Sequence, residues 1–155
     1  MNDARIVLID DDRSWLEPLS EYLEKKGFLV VAAADPAKGL ALVRESNISV
    51  VICDYDMPGM TGLELLRSIR QQPGNVPVLL VSSAEEPALA NRALAEGARG
   101  FLPKTVSPTH LVRKLRQILA DLDAAAPTLT LHLWQRLLPS PYQVKQGRNK
   151  NRPAA

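Results

Sequence analysis

This chain has little of several things, and each scarcity excludes something. Cys53 is its one cysteine in 155 residues, so no internal disulfide can form. It lies inside an apolar run, the setting of a core residue rather than a reactive thiol, and a reducing cytoplasm is the expected location. No apolar run approaches the ~20 residues that a membrane span needs. The start, Met1-Asn2-Asp3-Ala4-Arg5, lacks the charged-then-apolar layout of a signal peptide, so no membrane partner is expected. A surplus of one charge is missing as well. Residues 1–120 carry 14 Lys and Arg against 15 Asp and Glu, and residues 121–155 carry 5 against 2. A near-neutral body with a weakly basic tail does not by itself argue for nucleic acid.

What is present is the composition of a soluble globular protein, 46% hydrophobic and 23% charged, at a length that suits one domain with a sizeable core. Short apolar runs alternate with stretches of helical spacing. Ile6-Val7-Leu8-Ile9 reads as a first buried strand that stops at Asp10-Asp11-Asp12. A helix follows, capped by Asp12, with Leu16, Leu19 and Leu23 at helical spacing, Pro18 in about its first turn and Gly27 as its stop. Phe28 to Ala32 is a second strand. Asp35-Pro36, a cap followed by proline, opens a helix that runs to about Glu45.

Val50-Val51-Ile52-Cys53 is the central strand, ending at Asp54 before the turn-forming Pro58, Gly59 and Gly62. A helix from about Gly62 to Gln72 precedes a fourth strand, Val76 to Val81, which ends at Ser82-Ser83. Glu85-Glu86-Pro87 opens a fourth helix closed by Gly97. Gly100-Phe101-Leu102 is a short fifth strand ending at Pro103-Lys104, and Ser107-Pro108 starts a last helix through Leu119. Five strand–helix alternations predict an α/β fold, a doubly wound five-stranded parallel sheet in the order 2-1-3-4-5 covered on both faces by five helices. Strands one and three are then neighbours, which brings Asp10, Asp11 and Asp54 to one end of the sheet.

Three clustered carboxylates repel one another strongly, and such a cluster persists when a hard cation neutralises it. All-oxygen ligands suit Mg²⁺, which takes few protein carboxylates and favours a phosphate as a further ligand. Lys104 supplies a fixed positive charge at the end of strand five, and Ser82 a hydroxyl at the end of strand four. Each of these alone is ordinary: a capped turn, a surface lysine, a turn serine. Their convergence at four strand ends is not.

The constellation resembles the receiver domain of two-component response regulators, a CheY-like family, over residues 4 to about 120. The matching motifs are Ile9-Asp10-Asp11-Asp12, Asp54-Tyr55-Asp56-Met57-Pro58-Gly59-Met60-Thr61-Gly62, Val81-Ser82-Ser83 and Phe101-Leu102-Pro103-Lys104. The resemblance implies that Asp54 accepts a phosphoryl group from a sensor histidine kinase or phosphotransfer protein. It implies Mg²⁺ on Asp11, Asp54 and the backbone carbonyl of Asp56, with Asp10 acting through water. It also implies a switch in which Ser82 moves toward the phosphoryl group and Phe101 turns inward. Output would pass to a downstream protein or a homodimer through helix four, strand five and helix five. Self-dephosphorylation would reset the switch and yield no metabolite, so the chain is read as a switch, not an enzyme.

Two positions depart from the family pattern. Thr105 replaces the proline usual after the lysine, which makes a trans Lys104–Thr105 bond the expectation. This Lys-Thr-x-Ser-Pro form is similar to receivers that precede LuxR-type output domains. Ser83 stands where alanine is frequent, and its larger side chain is expected to narrow access to the phosphoryl group.

The expected organisation is a receiver domain over 4–122, then a linker and basic tail over 123–155 with one short helix at about 129–138 and disorder after it. The tail is too short for a LuxR-type module to bury a core, so DNA binding is not expected from this chain alone. Two other classes compete with the switch. One is a DNA-binding transcriptional regulator with a truncated or vestigial LuxR-type segment, which a steeply salt-dependent DNA affinity would reveal. The other is a phosphohydrolase with an aspartate nucleophile, which turnover of small phosphate esters would reveal.

Overall fold

The structure is a computed structural model that describes residues 3–45 and 47–137, with side chains described through residue 124. Five strands and five helices alternate along the chain: β1 (Arg5–Ile9), α1 (Arg13–Lys25), β2 (Leu29–Ala33), α2 (Pro36–Arg44), β3 (Val50–Asp54), α3 (Gly62–Arg70), β4 (Val78–Ser82), α4 (Pro87–Ala95), β5 (Gly100–Pro103) and α5 (Pro108–Leu137). The strands form one parallel sheet in the order β2-β1-β3-β4-β5, as the sequence pattern predicts.

The apolar runs at β1, β3 and β4 are buried on both faces, which is why they show no polar alternation. Register puts Ile9 beside Cys53 and Cys53 beside Leu80, so these three share one face. They pack with Val43 of α2, Leu63, Leu66 and Ile69 of α3, and Ala93 of α4. On the other face α1 buries Leu16, Leu19 and Leu23, and α5 buries Leu111, Leu115 and Ile118. A Tyr22–Thr109 hydroxyl contact at 3.3 Å joins α1 to α5.

The helix starts follow the cap signals. Asp12 accepts from the Ser14 amide at 3.0 Å, Asp35 from the Lys38 amide at 3.0 Å, and Ser107 from the His110 amide at 3.2 Å. Gly27 and Gly97 take φ of +92° and +104° just past α1 and α4, a conformation that favours glycine.

The structure differs from the sequence expectation at three places. Cover is incomplete at the edge strand β2, where Leu29 is 50% and Val31 37% exposed. Pro18 is the sixth residue of α1, in its second turn. The three buried leucines on either side outweigh the one backbone bond it removes.

The largest difference is in the tail. Residues 1–120 form a compact unit, but α5 continues through Leu137 where a linker beginning at 123 and a separate short helix at about 129–138 were expected. Asp121 to Ala126 contain no glycine, and Ala124, Ala125 and Ala126 are the best helix formers. Pro127 does not interrupt the helix, although an interior proline costs about 3 kcal/mol. The remainder of the expected basic tail, and the disorder expected after its short helix, fall on residues 138–155, which lie outside the described residues.

Candidate functional site

Parallel topology places the C-terminal ends of all strands at one edge, and the polar residues of the core gather there. Among the described residues the buried polar or charged ones are Asp10, Asp54 and Ser82. Asp10 follows β1, Asp54 ends β3, Ser82 ends β4, and Lys104 follows β5. Backbone bonds lock these ends together. Asp10 N–H donates to the Ala33 carbonyl at 3.1 Å, Tyr55 N–H to Val81 at 2.8 Å, and Lys104 N–H to Ser82 at 2.8 Å.

Carboxylate oxygens of Asp10, Asp11 and Asp54 lie within 4.8 Å of one another, with Asp11 on the exposed side. Lys104 Nζ stands 2.6 Å from Asp10 Oδ2 and 3.4 Å from Asp54 Oδ1. Asp10 Oδ1 accepts the Asp12 amide at 2.8 Å, whereas Oδ2 is buried and makes no well-angled hydrogen bond beyond its ion pair. Three acids face one lysine, so the cluster is short of positive charge.

That shortage shows in the protonation equilibria. Burial pushes the Asp54 carboxyl up to about 6, with a further contribution from Asp10 that Lys104 only partly offsets. Burial raises Asp10 as well, against the lowering effect of Lys104. For Lys104 burial acts downward, but the two carboxylates outweigh it and hold the ammonium above its ordinary range. An additional cation would relieve this imbalance. The donors are all oxygen, they converge, and one of them is a buried oxygen without a full hydrogen-bond complement, so the residues present fit Mg²⁺.

The remaining expected residues are carried by β4, β5 and the loops that follow β3 and β4. Ser82 is fully buried, and its Oγ accepts the Ala84 amide at 3.0 Å, which leaves the hydroxyl proton free to donate elsewhere. Asp56 lies in the loop that runs from β3 to α3. Phe101 is half-buried and meets Tyr55 edge-on, with ring centroids 6.0 Å apart. Ser83 is exposed. The Lys104–Thr105 bond is trans, as are all peptide bonds among the described residues.

Three features escape the sequence reading. The first is a reciprocal cap on α3: Thr61 N–H donates to Glu64 at 2.8 Å and Glu64 N–H to Thr61 Oγ1 at 3.2 Å, a Thr-x-x-Glu spacing legible in the sequence. It anchors the far end of the loop that begins at Asp54. The second is a hydrogen bond from Thr105 Oγ1 to Glu85 at 3.1 Å, which ties the β5–α5 loop to the β4–α4 loop. The third is Trp15, whose ring centroid lies 5.0 Å from Lys104 Nζ. No spacing in the sequence signals either of the last two.

Comparison with known proteins agrees with this fold. Residues 6–116 match the family described as the response regulator receiver domain. ARR21 of Arabidopsis thaliana, named as a two-component response regulator, is 36% identical over 127 residues, covering 81% of this chain and 20% of the relative. The two-component response regulator ORR11 of Oryza sativa subsp. indica is 33% identical over 117 residues, covering 74% of this chain and 80% of the relative. A response regulator receiver domain protein from Clostridium thermocellum superposes with a TM-score of 0.75 at 28% identity, covering 79% of this chain and 98% of that one. The chain belongs to the response regulator receiver domain family of two-component signal transduction, in which signalling depends on phosphorylation. It spans only a fifth of the length of ARR21. No helix among the described residues is long and apolar enough to cross a membrane.

Proposed function

We propose that the chain is a phosphorylation-dependent switch whose phosphoacceptor is Asp54. The observation that carries this reading is the convergence of Asp10, Asp11, Asp54, Ser82 and Lys104 at four neighbouring strand ends. Asp54 is the acid at the centre of the sheet, and Lys104 holds it less closely than Asp10. A carboxylate oxygen of Asp54 attacks the phosphorus of a phosphohistidine on a sensor kinase or phosphotransfer protein. An O–P bond forms, the N–P bond breaks, and the imidazole leaves with its electron pair. Lys104 and the Ser82 hydroxyl then donate to the phosphoryl oxygens.

The Asp11 and Asp54 side chains and the Asp56 carbonyl would hold Mg²⁺, with Asp10 acting through a water. Bound there, the ion supplies charge neutralisation for the acids and for the transferred group. The switch reading follows from the same contacts. A change of Ser82 rotamer that carries its Oγ toward a new anion would take it from the Ala84 amide and free the start of the β4–α4 loop. Phe101 then moves inward, and the change is read on α4, β5 and α5 by a downstream protein or a second copy. The reaction leaves the protein modified and releases no small product, which sets this reading apart from a phosphohydrolase.

The test is intact mass after incubation with Mg²⁺ and acetyl phosphate, for the wild type and Asp54→Ala. One phosphoryl group gained by the wild type and absent from the variant is the expected result. An equal gain in both would move the acceptor elsewhere.

A further inference from the structure

Three side chains surround the Lys104 ammonium. Asp10 and Asp54 hold it from within the sheet. The third is Trp15, an indole with its centroid 5.0 Å from Nζ. An ammonium over an indole face is attracted by the ring quadrupole, more strongly once both are withdrawn from water. The Lys104 side chain is only 12% exposed.

Local structure fixes Trp15 in this place. It is the third residue of α1, and its N–H donates to the Asp12 carbonyl at 3.1 Å. Asp12 caps the helix directly after the acid run, and the neighbouring Leu16 is buried, which sets the helix phase. The aromatic is therefore carried by the same turn that carries Asp10 and Asp11. It sits on a rigid element, whereas Lys104 lies at the end of a four-carbon stem with many rotamers.

We propose that Trp15 is a positioning residue: its indole holds the Lys104 ammonium inward against Asp10 and Asp54, ready for an anionic oxygen joined to Asp54. The consequence for phosphorylation rests on the phosphoacceptor reading above; the clamp itself does not. When a phosphoryl oxygen replaces Asp10 as the nearest anion, Nζ has only a short distance to travel. Without the indole the stem would spend time in solvent-facing rotamers, and phosphorylation would slow.

The test is a double-mutant cycle of Trp15→Leu and Lys104→Met in the full chain, with Trp15→Phe as the conservative variant. Two quantities are read: the rate of phosphorylation by acetyl phosphate with Mg²⁺, and the NMR shift of the Lys104 ε-methylene protons without any phosphodonor. The expected shift is upfield in the wild type, smaller in Trp15→Phe and lost in Trp15→Leu. Trp15→Leu should slow phosphorylation about two- to thirtyfold, with most of the rate kept by Trp15→Phe and no further loss in the Lys104→Met background. An unshifted methylene in the wild type would overturn the proposal. So would a Trp15→Leu loss of equal size with and without Lys104. If the wild type itself takes up no phosphate while its ring-current shift is present, the phosphoacceptor reading fails and the clamp stands.

Discussion

Lys104 Nζ is closer to Asp10 than to Asp54, 2.6 Å against 3.4 Å, so the ammonium between the two acids leans toward Asp10. Asp54 is thereby left the less neutralised of the two, at the centre of a sheet whose neighbouring side chains are apolar. A carboxylate kept under-compensated is costly for the fold and available for binding a cation or a phosphoryl group. The same imbalance governs the pH behaviour, the metal response and the acceptor chemistry.

The pH dependence follows from Asp54. Its carboxyl is raised to about 6, so the folded state binds a proton that the unfolded state releases near 4. A raised folded value means that the contribution to stability is fully present below the unfolded pKa and is lost as pH rises through about 6. Asp54→Asn removes that loss. It should raise stability by about 1–3 kcal/mol at pH 7.5 and change it little at pH 4, as thermal melts at the two values would show. Phosphorylation of the wild type should fall at acid pH, because the protonated acid is a poor nucleophile, and with Mg²⁺ present the fall should lie below 6, since the cation favours the charged carboxylate.

Mg²⁺ should stabilise the wild type, because it relieves the repulsion among Asp10, Asp11 and Asp54. At a concentration a hundred times its dissociation constant the gain is about 2.7 kcal/mol. Asp11→Asn removes a donor on the exposed side without opening the core, so it should abolish most of the Mg²⁺-induced shift in Tm while leaving the metal-free Tm within a degree or two. Below pH 6 the shift should shrink in the wild type as Asp54 takes up its proton.

Gly62 shows how tightly the acceptor loop is built. A Cβ there would come within 2.5 Å of the Asp54 carbonyl and 2.9 Å of the Tyr55 Cα, and both are backbone atoms that cannot swing aside. The Gly62 amide donates to Tyr55 at 2.7 Å, so α3 starts pressed against the end of β3. Gly62→Ala should cost about 1–3 kcal/mol by denaturant titration and slow phosphorylation, since any relief displaces the Asp54 backbone.

The strand order was legible because the apolar runs ended in turn signals and three of the helices opened on a cap signal. Asp12, Asp35-Pro36 and Ser107-Pro108 all sit where the structure starts a helix. The converging acids were legible for the same reason, since strand order alone makes β1 and β3 neighbours. What could not be read was lateral contact between side chains far apart in sequence. Trp15 reaches Lys104, and Thr105 reaches Glu85, through loop geometry that leaves no periodic trace. The tail turns on a local balance: proline at 127 favours a break, the alanines before it favour helix, and α5 runs on.

Cys53 offers a probe of the core that does not involve phosphate. It lies between Ile52 and Asp54 with no exposed surface, and burial pushes its thiol well above the ordinary range. A thiol reagent should leave the native protein unlabelled at pH 8 and modify one thiol per chain in denaturant. Labelling at the rate of a free thiol under native conditions would mean that β3 opens readily.

The central claim, that Asp54 is the acceptor, is tested most directly by trapping the acyl phosphate. Borohydride reduces an aspartyl phosphate to homoserine, and peptide mass spectrometry locates the converted residue. After treatment with Mg²⁺ and acetyl phosphate, homoserine should appear at position 54 and at no other acid. Homoserine at Asp10, Asp11 or Asp56, or at no position while the protein has gained a phosphoryl group, would contradict the account.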